Sequence, residues 1–373
     1  MALTIGSYIV DPRDLDAFPS ILARATLLVP AIALIASLAA VILATVAYWT
    51  GAKLSFIGFG IAAIVAGATV GLSTLGMWSL ARTQNVIISP LAHFTRKAHI
   101  KEFPARVARN VVYGSAADGT QLVLDIWPAT MPASGALRPA FIRMHGGGWI
   151  NGSKSEMANW NIWLNELGYI VFDVEYRMPP PERWKSEVGD VKCALGWVLD
   201  NANKYGVDPS RIHLTGISAG GNLAMLAAYS MGSPDLPASC PAPTVPIKSV
   251  VNFYGPSDLA STYSSSPSPA YIQNALARYI GGPYSEFPYR YKLLSPITHV
   301  SASSPPTLMF LGLNDRIVTR DQADRLGKAL ASEGVAHEIY LLPGADHGFD
   351  LNWASMSSDF AREMVRRFLL KHD

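Results

Sequence analysis

Residues Gly216-Ile217-Ser218-Ala219-Gly220 stand between an apolar run, Arg211–Thr215, and a helix-like run, Asn222–Ala228. A strand that turns at once into a helix leaves the backbone few paths. A serine at that corner is forced into a strained conformation that lifts its hydroxyl clear of the sheet. Side chains two positions to either side would clash across so tight a turn, so positions 216 and 220 need glycine. In a chain with 30 glycines the pentapeptide is a weak signal by itself. Its weight comes from its surroundings.

Those surroundings alternate. Beyond about residue 110, strand candidates fall at Gln121–Trp127, Ala140–Met144, Tyr169–Val174, Arg211–Thr215, Ser249–Tyr254, Thr307–Leu311 and Glu338–Leu342. Helical stretches intervene at Lys185–Lys204, Ala219–Ser230 and Arg320–Glu333, and Trp353–Leu370 closes the chain. Such alternation predicts an α/β domain: a mainly parallel sheet with helices on both faces and its active site at the strand C-terminal ends. Residues 259–304, rich in Ser, Pro and Tyr, break the rhythm and read as an insertion that could cap a site or simply pack on the surface.

The N-terminal part is different. No charged residue occurs from Ala25 to Thr50, nor from Leu54 to Ala81. Each run is long enough to cross a hydrocarbon layer of roughly 30 Å as a helix. Tyr48, Trp49 and Trp78 flank the runs, and small residues repeat at Ala36, Ala40 and Ala44 and at Ala63, Gly67 and Gly71. This spacing suits two closely packed helices. The expected organisation is therefore a tail at 1–24, a transmembrane hairpin at 25–81 (about 25–50 and 54–81), a basic juxtamembrane connector at 82–109 and a catalytic domain at 110–373. Arg13 and Arg24 precede the first span, Lys53 lies between the two, and Arg82, Arg96, Lys97 and Lys101 follow the second. By the positive-inside bias, both the N-terminus and the catalytic domain are expected in the cytoplasm. The lipid bilayer is then an expected partner.

A net charge of +2 with no basic face argues against nucleic acid. Of the two cysteines, Cys193 falls among Val188, Val191, Leu195 and Val198 at helical spacing and reads as a buried free thiol, while Cys240 lies in a Pro-rich loop. No spacing suggests zinc, a redox pair or a disulfide framework.

Three residues carry the chemistry. Ser218 is the candidate nucleophile; Asp315 follows the strand Thr307–Leu311, and His347 follows Glu338–Leu342. In the order Ser, Asp, His, each at a strand end, they fit a catalytic triad. Asp346 and Asp350 flank His347 too closely in sequence to orient it. A fourth element, His145-Gly146-Gly147-Gly148-Trp149, follows Ala140–Met144. Its glycines let bare N–H groups approach a substrate oxygen, as in an oxyanion loop, and no G-K-[ST] follows to make it a phosphate cradle. Gly146, Gly147 and Ala219 are the expected oxyanion donors, with His145, Gly148 and Trp149 shaping the loop. Neither metal nor organic cofactor is expected. Glu175, Arg177, Glu187 and Asp190 read as structural charges that pair with one another. Tyr263, Tyr271 and Tyr284 could line an acyl pocket or pack the insertion.

From about residue 110 onward the chain resembles α/β-hydrolase carboxylesterases of the hormone-sensitive-lipase-like group and the related BD-FAE-like esterases. The resemblance rests on His145–Trp149, Glu175-Tyr-Arg-Met-Pro179, Tyr205–Arg211, Gly216-Ile-Ser-Ala-Gly-Gly221 and Asp346-His-Gly-Phe349. Ile217 departs from the Asp that many of that group carry before the serine, and Glu175 from their usual Asp. The resemblance implies the α/β-hydrolase fold and hydrolysis of carboxylic esters. Amidase, arylformamidase or peptidase chemistry on the same triad is the nearest alternative, and a non-catalytic membrane scaffold is the alternative from another class.

Overall fold

A computed structural model describes residues 71–89, 107–130, 136–154, 156–178 and 184–373, together with 39, 41–46, 48–50, 61 and 68. Contacts divide the chain into two compact units. One comprises 100–311, 315–340 and 365–373; the other comprises 1–99, 312–314 and 341–364.

The larger unit is built on a sheet of eight strands: β1 Ala108–Ser115, β2 Gln121–Trp127, β3 Arg138–Met144, β4 Ile170–Val174, β5 Val207–Ile217, β6 Ser249–Phe253, β7 Thr307–Gly312 and β8 His337–Leu342. Their order is β1-β2-β4-β3-β5-β6-β7-β8. β1 and β2 pair antiparallel, as do β2 and β4, and the pairings from β4 through β3, β5 and β6 to β7 are parallel. Parallel strands buried on both faces should be nearly continuous apolar runs, and β4, β6 and β7 are buried at every position. The helices of this unit include α1 Ala158–Glu166, α2 Ser186–Asp200, α3 Ala219–Tyr229, α4 Leu259–Ser265, α5 Pro269–Ile280, α6 Pro288–Leu293 and α7 Arg320–Ser332; α8, Met356–His372, closes the chain. The expected α/β architecture is present, and residues 259–304 form a helical insertion of α4, α5 and α6.

The central strands carry a buried polar row. Arg143 of β3 stands in register with Asp173 of β4 and donates to both of its carboxylate oxygens at 3.0 and 3.2 Å. Asn161 of α1 donates to the same carboxylate at 2.6 Å. Burial pushes the Asp173 carboxyl upward, opposed by the Arg143 charge and the Asn161 hydrogen bond.

Cys193, expected as a buried free thiol, forms a disulfide with Cys240, their Cα atoms 5.4 Å apart, where no disulfide was expected. Helical periodicity could not reveal it, because the partner arrives 47 residues later on a Pro-rich loop. Two glycines on α2 make room for that loop. A Cβ on Gly189 would lie 2.6 Å from Ser239 Oγ, and one on Gly196 would lie 2.5 Å from the Ala242 Cβ. Lys192, between them, donates through Nζ to the carbonyls of Ser230 and Leu236, each at 2.6 Å.

In the smaller unit, residues 71–83 are helical and lie against the segment 341–364. Gly76 meets Pro343, Ser73 meets Gly344, and the Ser357 hydroxyl lies 3.7 Å from Met77 Sδ. The expected transmembrane hairpin falls largely outside the described residues. Among the described residues no helix is long and apolar enough to cross a membrane.

Candidate active site

β5 delivers its last residues into the turn foreseen at 216–220. Ser218 holds φ 52° and ψ −119°, a region that side chains rarely enter, and α3 begins at the next residue. Its N–H donates to the carbonyl of Phe253 at 2.9 Å, which ties the turn to the end of β6. The two flanking glycines are demanded by contact. A Cβ on Gly216 would lie 2.2 Å from the Gly220 carbonyl oxygen, and one on Gly220 would lie 2.3 Å from that of His145. Both distances are impossible for a real side chain.

That second contact also places the HGGGW loop. It follows β3 directly, and a Cβ on Gly146 would sit 3.5 Å from Ser218 Cβ. Gly147, Gly148 and Trp149 all have positive φ, at 112°, 61° and 60°. The strand therefore ends in a backbone path that only a glycine run follows easily. Trp149 pays for its own left-handed conformation through packing: it is buried, stacks on Tyr279 of α5 with ring centroids 5.0 Å apart, and donates from Nε1 to Asn222 Oδ1 of α3 at 3.3 Å. A Cβ on Gly148 would meet the Tyr271 hydroxyl at 2.6 Å. The insertion thus lies over the HGGGW loop through Tyr271 and Tyr279. Tyr263 and Tyr284 instead cluster with Tyr291 within the insertion.

His145 anchors the loop from below. Its Nδ1 lies 2.7 Å from the Gly146 carbonyl, so that nitrogen carries the proton and donates. The ring stacks on Tyr176 at 4.2 Å, and the Tyr176 hydroxyl donates to the His145 carbonyl at 3.0 Å. Burial pulls the imidazole down to about 4, helped by the Arg143 and Lys154 charges and opposed by the Gly146 carbonyl. At neutral pH His145 is uncharged, a support for the loop and no proton carrier.

Asp315 lies three residues beyond the end of β7 and is buried. Its Oδ1 accepts from the N–H groups of Ile317 and Val318, each at 2.8 Å, which fixes the carboxylate on its loop. His347 lies beyond β8, half-buried, with Gly348 following at φ 72°. Its N–H donates to Asp346 Oδ1 at 2.7 Å, so Asp346 holds the backbone of this loop. Asp315 belongs to the larger unit and His347 to the smaller.

The four charges expected to pair among themselves do so only in part. Arg177 and Asp190 form a close pair, with Nε and Nη2 donating at 2.9 and 2.7 Å. Glu175 turns to Lys154 instead, accepting from its N–H at 3.0 Å with the ammonium 3.7 Å away. Glu187 is fully buried and pairs with none of the other three; burial pushes its carboxyl well above the usual carboxylate range, with the Asp190 charge adding to the shift and the Arg177 charge opposing it. Charge pairing inferred from sequence neighbourhood fails here because strand ends, not sequence distance, decide which groups meet.

Two supports of the loop had no role in the sequence reading. Asn222 is the single polar residue in the run Asn222–Ala228, a legible signal that it has a buried partner. Tyr176 gives no such signal, since its role depends on β4 ending beside β3. Among the described residues, no group of three or more His, Cys, Asp or Glu could hold a metal ion.

Comparison with known proteins agrees with this geometry. The BD-FAE family model matches residues 124–330. Esterase LipQ of Mycobacterium tuberculosis is 33% identical over 254 residues, covering 67% of this chain and 59% of the relative. The chain spans between 53% and 60% of the length of the first three curated relatives it matches. Among solved structures, a truncated carbohydrate esterase from gut microbiota superposes with a TM-score of 0.62 at 25% identity, covering 74% of this chain and 99% of that one. Esterase 2 of Thermogutta terrifontis, phosphonylated by sarin, gives 0.61 at 26% identity, with coverages of 73% and 96%. With more than half of its length matched by one family model and its serine turn packed against the HGGGW loop, the chain belongs to the BD-FAE family of α/β-hydrolase proteins.

Proposed function

We propose that the protein is a serine carboxylic ester hydrolase that works through an acyl-enzyme on Ser218. The observation that carries this reading is Ser218 at φ 52° and ψ −119°, heading α3 with the backbone of Gly146 beside it. The names of LipQ and of the Thermogutta enzyme support it. Ser218 Oγ attacks the ester carbonyl while His347 takes its proton, and Asp315 holds the imidazole in the productive tautomer. The oxyanion accepts from the N–H groups of Gly146, Gly147 and Ala219, the last at the N-terminus of α3 where the helix dipole adds to the field. Collapse expels the alcohol with the proton from His347, and water, deprotonated by His347, cleaves the acyl-enzyme. The test is fluorophosphonate labelling with p-nitrophenyl esters of graded length. Ser218→Ala should lose labelling and reduce ester turnover by roughly 10⁴-fold or more, with an unchanged unfolding transition. Retained turnover overturns the assignment.

The catalytic domain is also membrane-anchored in this reading, through the charge-free runs 25–50 and 54–81. Contact of Gly76 with Pro343 commits the end of the second run to protein, so that span ends before residue 76. The side of the membrane is set by two opposed signals. Lys and Arg counts around the spans favour the cytoplasm. The Cys193–Cys240 disulfide favours an oxidising compartment, since the cytosol keeps such pairs reduced. The bias in charge rests on a few residues, whereas a covalent bond in a reducing compartment would not persist. The proposal is therefore an anchored domain facing the oxidising side.

A further inference from the structure

Glu175 follows β4 directly, and its main chain is fixed by the two strands at that edge of the sheet. Its N–H donates to the Val123 carbonyl of β2 at 3.1 Å, and its carbonyl accepts from the Tyr113 hydroxyl of β1 at 3.0 Å. From this base the carboxylate reaches the far leg of the HGGGW loop. Its Oε2 accepts from the Lys154 N–H at 3.0 Å, with the Lys154 ammonium 3.7 Å from the same oxygen. Its Oε1 lies 4.0 Å from Nε2 of His145, the residue that opens the near leg. The ammonium has a second carboxylate in reach, Asp125 Oδ1 at 3.7 Å, whereas the N–H is held by Glu175.

Between the two legs the loop is closed on itself. The Gly147 carbonyl accepts from the N–H groups of Ile150 and Asn151, at 3.2 and 3.1 Å. A Cβ on Gly152 would lie 2.4 Å from the Gly146 carbonyl oxygen and 2.5 Å from His145 Nδ1. The far leg is therefore packed directly on the backbone of Gly146 and Gly147. A close-packed contact of this kind transmits a shift instead of absorbing it, so moving Lys154 moves those two peptides. The Glu175 side chain itself keeps 30% of its surface exposed, so it can be replaced without opening the core.

We propose that Glu175 is a positioning residue for ester hydrolysis: by holding the Lys154 N–H it sets where the N–H groups of Gly146 and Gly147 point, and so how well they bind the oxyanion. The inference rests on the reading of Ser218 as nucleophile and of this loop as oxyanion donor, and it adds a residue outside the loop that touches no substrate. Donors aimed in advance at the developing charge give the most stabilisation. A misplacement of about 1 Å can cost on the order of 10²-fold in rate.

Turnover of p-nitrophenyl butyrate by the full chain, counted per serine titrated with a fluorophosphonate, tests it together with inhibition by an alkyl trifluoromethyl ketone. Such a ketone adds to a serine hydroxyl as a hemiketal whose oxyanion occupies the place of the reaction's own. Glu175→Ala should lower kcat by about tenfold or more, with KM within about threefold, and should weaken the ketone in step with the fall in kcat/KM. Glu175→Gln, which keeps an acceptor for the Lys154 N–H without the charge, should recover most of both losses. Wild-type kcat and ketone affinity in Glu175→Ala overturn the proposal. So does lost turnover with undiminished ketone affinity, and so does a Gln variant as poor as Ala, because the charge and not the hydrogen bond would then be what matters. A wild type that neither takes the fluorophosphonate nor binds the ketone defeats the serine reading and this inference with it. A wild type that does both, beside an unaffected Glu175→Ala, defeats the inference alone.

Discussion

Ser218 is held in its unusual backbone conformation by neighbours that leave no alternative. The carbonyls of Gly220 and His145 occupy the space that side chains at 216 and 220 would need. This part of the site was legible in five letters because the constraint is local, a matter of which residues fit a turn. Tyr176 and Glu187 were not legible, because what each meets is set by strands and helices far apart in sequence. His145 lies between these cases: its place in the HGGGW run is readable, but its charge state depends on burial. An imidazole held down to about 4, against 6.5 in the open chain, binds a proton more readily in the unfolded state. Its contribution to stability is fully present above pH 6.5 and is lost as pH falls toward 4. The full loss is about 3 kcal/mol. Urea unfolding at pH 7 and pH 4 should therefore show the wild type losing more stability than His145→Gln, by up to that amount. Equal losses would mean that His145 is charged in the fold. Because the same residue holds the loop proposed to bind the oxyanion, activity should fail in acid no later than stability does.

Among elements, those that announced themselves were the ones with apolar faces. β4, β6 and β7 are buried throughout, and α7 has its apolar residues on one face. β1 did not, because it is an edge strand whose only fully buried side chain is Tyr113 and whose Asn110 turns at φ 54°. Nor did α1, which buries two asparagines among its apolar residues: Asn161 donates to Asp173, and Asn165 donates to the carbonyls of Trp127 and Tyr169. Asparagines at buried positions break the hydrophobic period by which a helix is read. The loop between α3 and β6 is likewise invisible to periodicity, yet it straps α2 through the disulfide, through Lys192, and through Arg177 Nη2, which donates to Ser239 Oγ at 3.0 Å. α2 also carries Asp190, the partner of Arg177 just beyond β4. Removing the crosslink frees a long loop in the unfolded chain, at a cost of about 2–4 kcal/mol. Cys193→Ala with Cys240→Ala should lower the urea midpoint accordingly while leaving fluorophosphonate labelling of folded protein intact. An unchanged midpoint would show that the bond is not formed in the purified protein.

For the whole molecule, the proposed membrane anchoring makes a prediction about compartment that the disulfide ties to chemistry. If the proposed hairpin is present, its two spans return the chain to the side from which it started, and the N-terminal tail and residues 110–373 share a compartment. If that compartment is oxidising, Cys193 and Cys240 should be found joined when cells are lysed into an alkylating agent, and a maleimide reagent should add mass only after reduction. A membrane-impermeant protease added to intact cells or spheroplasts should then digest residues 110–373 together with the tail. If the charge bias around Lys53 and residues 82–101 prevails instead, both are protected and the thiols alkylate without reduction. The two readouts are linked, because a domain on the cytoplasmic side would lose the crosslink and, with it, the stability that α2 draws from the strap. Protection together with a formed disulfide would break the link between compartment and crosslink, and would leave the side to be explained by the charges alone.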